Sequence, residues 1–86
     1  MTKKQTKPIN SIHELYFNKE LFCADIKKKR TELNLSYYKL GQIIAYDSTG
    51  LKYIEEGRYY PTMETYCRII RWLEVDANRY INRVID

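Results

Sequence analysis

Residues 36–55, SYYKLGQIIAYDSTGLKYIE, constrain the fold more than any other stretch, because their apolar residues form two short runs of helical spacing either side of a turn. Ser36 is a good N-cap, since its hydroxyl oxygen can accept a hydrogen bond from an amide that the first turn leaves unpaired. Leu40, Ile43 and Ile44 follow at the three-and-four spacing of one helical face. Asp47 can cap a second helix in the same way, with Leu51, Ile54 and Glu55 on its inner face. Gly57 then offers the left-handed residue that helix C-termini favour. Two helices joined across so short a link bury Leu40, Ile44, Leu51 and Ile54 together. Ser48, Thr49, Lys52 and Tyr53 are left pointing outward.

That arrangement is the layout of a helix-turn-helix (motif 36–55), whose second helix reads base edges in the DNA major groove. Beyond the motif, residues 22–81 resemble the Cro/cI helix-turn-helix family. The match is carried by Ile26, Arg30, Leu35-Ser36, Leu40-Gly41, Leu51, Ile54-Glu55, Gly57, Pro61, Leu73 and Val75, and needs no gap between Leu35 and Pro61. The resemblance implies an all-α domain with the five-helix lambda repressor-like fold, acting on DNA. It implies that Arg30 pairs with Glu55 at the end of the reading helix, a planar guanidinium fork being suited to a partly buried carboxylate. It also implies that the loop GRYYP rests on the sugar-phosphate backbone through Arg58, Tyr59 and Tyr60, for which ordinary loop packing is the alternative. The chain departs from the family pattern at Gly41, where alanine is usual, at Ala45, where the turn glycine is usual, and at polar surface positions that are tyrosine here.

Residues 1–10, MTKKQTKPIN, hold Lys3, Lys4 and Lys7 with no acid and few apolar side chains, so a basic flexible arm is expected. It looks like an arm that wraps DNA through Lys3 and Lys4, or else it is a solvated tail. Residues 11–86 are then a single helix-turn-helix domain. Ser11 and Glu14 fit a capping box, and Ile12, Leu15 and Tyr16 share one side, which predicts a short extra N-terminal helix. A helix over 18–33 turns Phe22, Ile26 and Leu33 inward, with Asn34 as its left-handed cap. The cations at 27–29 meet phosphate or form a solvated face. Pro61 precedes a fourth helix over 62–73 with Met63, Tyr66, Ile70 and Leu73 on one face. Asp76 can cap a fifth helix running to about residue 85. Along it, Tyr80, Ile81, Val84 and Ile85 offer a homodimer interface or pack on the body of the domain.

Gly50 interrupts the second motif helix, where glycine costs about 1 kcal/mol relative to alanine. Something must therefore require the missing side chain. Thr49-Gly50 is similar to a Ser-Gly step in the family, which implies close approach to DNA; inward packing against the first motif helix is the other reason.

The 86 residues make one domain, and a formal charge of +4 favours a polyanionic partner. No apolar run is long enough to span a bilayer and no signal-peptide h-region is found, so a cytoplasmic location is expected. Cys23 and Cys67 lack a CxxC partner and His13 stands alone, so free buried thiols are expected, with no metal and no cofactor. With no GxGxxG, P-loop or HExxH motif, no enzyme chemistry is expected.

Two functions of different class fit these residues. In the first, a sequence-specific transcriptional regulator binds double-stranded DNA as a homodimer. Ser48, Thr49, Lys52 and Tyr53 then meet base edges, and Tyr37 and Tyr38 donate hydroxyls to phosphate. In the second, the domain is a protein-interaction module, an antitoxin or inhibitor, using the face of Tyr37, Tyr38, Tyr46, Tyr53, Tyr59 and Tyr60. The lysine arm and the basic first helix have no role in the second, and they favour the first.

Overall fold

The computed structural model describes residues 15–83. Their order is strand β1 (Leu15–Phe17), helices α1 (Lys19–Glu32), α2 (Tyr37–Ile44), α3 (Ser48–Glu55) and α4 (Met63–Leu73), a 3₁₀ turn (Ala77–Tyr80) and strand β2 (Ile81–Arg83). Each α-helix starts where the sequence supplies a cap. The side chains of Asn18, Ser36, Asp47 and Thr62 accept hydrogen bonds from the amides of Leu21, Lys39, Gly50 and Thr65, which satisfies donors that a first turn leaves open. Past the end of α1, Asn34 takes the left-handed conformation expected of it, with φ of 58°.

The helices meet over a core of Phe22 and Ile26 from α1, Leu40 and Ile44 from α2, Leu51 and Ile54 from α3, and Ile69, Ile70 and Leu73 from α4, with Tyr80 beside them. Leu33 is not part of it, because α1 has already ended at Glu32. On α4 the buried stripe is Thr65, Ile69, Ile70 and Leu73. Met63, in the first turn, is exposed instead of facing inward. Cys67 is exposed rather than a buried thiol, since it lies two residues from both Thr65 and Ile69 and so across the helix from them. Cys23 is half-buried.

The chain ends depart from the helical expectation. Of the extra helix expected around residues 11–16, positions 11–14 lie outside the described residues and Leu15–Phe17 form a strand. The fifth helix expected over 76–85 is one 3₁₀ turn followed by β2, which pairs antiparallel with β1 in the register Leu15↔Arg83, Tyr16↔Asn82, Phe17↔Ile81. Local and distant bonds both compete with that helix. Asp76 Oδ1 accepts from the Asn78 amide at 2.7 Å, a local closure that favours turn over helix. Tyr80 is drawn fully into the core, its ring 5.1 Å from that of Phe22 and edge-on to it. The Tyr80 hydroxyl donates to Asp25 Oδ2 at 2.7 Å and its carbonyl accepts from the Asn18 amide at 2.6 Å. Beyond that anchor, Tyr16, Phe17 and Ile81 are residue types that suit a half-buried pleated pair.

Tyr80 is therefore a core residue and not a dimer contact. Ile81 is exposed, while Val84, Ile85 and the arm residues Lys3 and Lys4 lie outside the described residues.

Asp25 also accepts from Arg79 Nε at 2.8 Å. Burial opposes ionisation of Asp25, but the hydrogen bonds from Arg79 and Tyr80 together outweigh it and hold the carboxyl below its usual range. Burial, reinforced by the bond to Asp25, drives the Tyr80 phenol far above its ordinary value. A carboxyl that ionises more readily in the folded state stabilises the fold above its unfolded value of about 3.9, and that contribution disappears as pH falls through the lower folded value. Tyr80→Phe should cost roughly 1.5 to 3 kcal/mol at neutral pH. The deficit should shrink in acid, below about pH 4. Urea melts showing one constant deficit across that range would mean that the hydroxyl stabilises something other than the carboxylate.

Candidate nucleic-acid interface

Three residues, Ala45, Tyr46 and Asp47, join α2 to α3, and the path they take explains both glycines of the motif. Ala45 adopts the left-handed conformation (φ 59°) that ends α2, and the Tyr46 amide returns to the Gly41 carbonyl at 2.9 Å. This return brings the Tyr46 carbonyl so near that a Cβ at position 41 would stand 2.6 Å from it. Glycine is the residue that fits. The Tyr46 ring then lies against α3, where a Cβ on Gly50 would stand 2.7 Å from the ring carbon Cε2. The contact at Gly50 is thus with the turn tyrosine rather than the first motif helix, and unlike the backbone contact at Gly41 it involves the outer end of a half-buried side chain. A left-handed alanine costs roughly 1 to 2 kcal/mol, and the Ala45 carbonyl accepts from Arg68 Nη1 at 2.9 Å, which ties the turn to α4.

Arg30 and Glu55 form the pair that the family resemblance implies. Nε donates to Oε1 at 2.7 Å and Nη2 to Oε2 at 3.0 Å, with the two side chains only 13% and 5% exposed. Arg30 Nη1 also donates to the Leu35 carbonyl at 2.9 Å, so one guanidinium joins α1, the α1–α2 connection and the end of α3. Tyr37 completes the cluster. Its ring lies 4.2 Å from the guanidinium carbon and its hydroxyl donates to Glu55 Oε2 at 2.8 Å. The hydrogen bond to Glu55 raises the pKa of Arg30 further above its ordinary value, and burial, with the same carboxylate, raises that of Tyr37. The expected phosphate contact from Tyr37 is corrected accordingly, because its hydroxyl is engaged by a buried carboxylate. Tyr38, one residue on, is exposed, and its hydroxyl accepts from Gln42 Nε2 at 3.2 Å.

On the outer side of α3, Thr49 and Lys52 are exposed while Ser48 and Tyr53 are half-buried. Tyr53 is held by its loop neighbours: the Arg58 guanidinium stands 4.2 Å over its ring and Tyr59 meets it edge-on at 5.1 Å. Arg58, Tyr59 and Tyr60 are exposed, and Arg58 keeps a loose surface pair with Glu56 at 3.5 Å. Groups on α1 that the spacing did not single out pin this loop and the end of α3 before it. Lys19 Nζ donates to the Gly57 carbonyl at 3.0 Å and lies 4.9 Å from the Tyr60 ring centre. The Cys23 thiol donates to the Ile54 carbonyl at 3.1 Å. Lys19 and Cys23 are four residues apart on one helix, the spacing that could have flagged a shared contact.

These bonds redistribute the charge of the region. Asp47 caps α3 and Glu55 holds Arg30, which leaves Glu56, beside Arg58, as the acid of residues 41–60 whose carboxylate neither caps a helix nor is buried. In the basic run, Lys27 and Lys28 are exposed, Lys29 donates to the Trp72 carbonyl, and Arg30 is in the pair. Among the described residues no three His, Cys, Asp or Glu side chains are grouped to hold a metal, and no helix is long and apolar enough to cross a membrane. No protein-family model, curated protein or solved structure matches the chain.

Glu55→Ala leaves the Arg30 guanidinium buried without its carboxylate and should destabilise the domain by about 3 kcal/mol. Arg30→Met combined with Glu55→Leu should recover much of that loss. Strictly additive losses in denaturant melts would rule out the coupling. At Gly50 the size of the effect of an alanine substitution should depend on Tyr46. With tyrosine present, Gly50→Ala must push the Tyr46 ring aside, so it should gain less than the up to about 1 kcal/mol expected on a Tyr46→Ala background. An identical effect on both backgrounds would separate Gly50 from the tyrosine ring.

Proposed function

We propose that this protein is a cytoplasmic, sequence-specific DNA-binding transcriptional regulator of the Cro/cI type, with α3 as the helix that enters the major groove. The observation that carries the proposal is the α2–turn–α3 unit fixed to α1 through Arg30 and Glu55 while Thr49 and Lys52 stand free on the outer face. Base readout depends on such rigidity, since a bidentate contact discriminates by about 1–3 kcal/mol only when the helix is held in register. Lys52 donates to guanine, the Thr49 methyl meets thymine, and Ser48 and Tyr53 border them. Arg58, Tyr59, Tyr60 and Tyr38 serve as the phosphate contacts. We assign α1 to α4 to the first four helices of the lambda repressor-like fold, with the 3₁₀ turn and β2 in place of the fifth.

The proposed binding unit is a homodimer on an inverted repeat with half-sites about one helical turn, roughly 34 Å, apart. Its contact lies on the exposed side of the β1–β2 ribbon, which includes Ile81, and not on Tyr80. The exposed rings of Tyr38, Tyr59 and Tyr60 also suit a protein partner, so the experiment must separate the two.

Anisotropy titrations with duplex DNA at several salt concentrations do so. Affinity should fall steeply with salt, and Arg58→Ala should lower the slope of log K against log salt by about one. Tyr37→Phe should leave the slope unchanged. Lys52→Ala should cost about 1–3 kcal/mol on a selected operator and little on random duplex. No salt-dependent duplex binding at all would reject the proposal in favour of a protein partner.

A further inference from the structure

An open groove of about 390 Å³ runs between the C-terminal end of α2 and α4, lined by Ile43, Ile44, Ala45, Arg68, Arg71 and Trp72. It shares no residue with the outer face of α3. Its floor is apolar: Ile44 belongs to the core, Trp72 is half-buried, and Ile43 leaves 52% of its surface to solvent. Its walls are cationic, and no acid lines it. Arg71 has no ion pair among the described residues. Arg68 donates to the Ala45 carbonyl and, at 2.8 Å, to Glu64 one turn earlier, a surface pair of the kind that contributes little and is easily exchanged. Lys29, which is not part of the lining, stands 5.1 Å from the centre of the Trp72 ring and is committed to the Trp72 carbonyl.

An exposed isoleucine and an indole flanked by arginines have the composition of an interface core, where aromatic side chains and arginine are enriched and acids are depleted. The depletion says what is missing from the other side. We propose that this groove docks an acidic amphipathic segment of a partner protein, its apolar side chain on Ile43 and Trp72 and its carboxylates on Arg71 and Arg68. Laying an amphipathic helix into a groove is a common way to meet both demands. Nucleic acid meets only one of them, because a phosphodiester backbone satisfies the arginines and leaves Ile43 and Trp72 in water. Docking here is independent of what α3 binds, and both surfaces can be occupied at once.

Trp72 is the single tryptophan of the chain, so its emission reports on the groove. The probe is a synthetic amphipathic peptide with leucine at helical spacing and glutamate elsewhere, compared with the same peptide carrying lysine for glutamate. The glutamate peptide should shift Trp72 emission to shorter wavelength and saturate, and the lysine peptide should not. Arg71→Glu and Ile43→Ser change exposed positions, so far-UV circular dichroism should be unaltered while each weakens the glutamate peptide by about tenfold or more. Lack of a saturable shift, an equal response to the lysine peptide, or unaffected binding by both variants overturns the proposal. A saturable response to DNA that Arg71→Glu abolishes assigns the groove to nucleic acid instead. Self-association in sedimentation that Ile43→Ser abolishes assigns it to a second copy.

Discussion

A carboxylate buried at the end of α3 sets the terms for the rest of the domain. Glu55 can lie in the interior only with a cation beside it, and that requirement fixes where Arg30 on α1, the Leu35 carbonyl and Tyr37 on α2 must be. The apolar core made by Leu40, Ile44, Leu51 and Ile54 holds the helices together without direction. The pair supplies the direction. Sliding α3 along its neighbours breaks three hydrogen bonds to Glu55 and strands a charge, so a cluster that adds little net stability adds much to positional accuracy.

The same economy governs the helix ends. The Ala45 carbonyl after α2 is met by Arg68, the Gly57 carbonyl beyond α3 by Lys19, and the Trp72 carbonyl near the end of α4 by Lys29. Each cation comes from another element than the helix whose end it meets, Arg68 from α4 and both lysines from α1, and meets carbonyls where a helix dipole is negative. A good part of the positive charge is therefore internal stitching, and the excess that faces outward is smaller and more localised than the composition suggests. Among the described residues Lys27, Lys28, Lys39, Lys52, Arg58 and Arg71 carry it, with Arg68 exposed while it holds the Ala45 carbonyl.

What could be read from the sequence follows the range of the interactions concerned. Ser36, Asp47, Asn34 and Gly57 act within a few residues of themselves, and their roles were visible as spacing. The Arg30–Glu55 pair spans a longer stretch and was legible through the family resemblance. Tyr37 and Tyr38 are adjacent and identical, so no local rule separates the one that binds Glu55 from the one left in solvent. The missing fifth helix is of the same kind. Asp76, Tyr80 and Ile81 fit a capped amphipathic helix by pattern, but Tyr80 is claimed by Asp25 and Asn18 from the far end of the chain. On α4 the pattern alone does not fix the phase, since Met63 and Ile69 are both apolar and only packing decides which faces the core.

The β1–β2 ladder sets Leu15 opposite Arg83, so the polypeptide enters and leaves the domain side by side. The fold accordingly hangs from a single point, like a bead on a looped thread. Such a topology lets the unit be spliced into a surface loop of an unrelated host without prying the two ends apart. It also means that whatever is linked at either side emerges from the same pole.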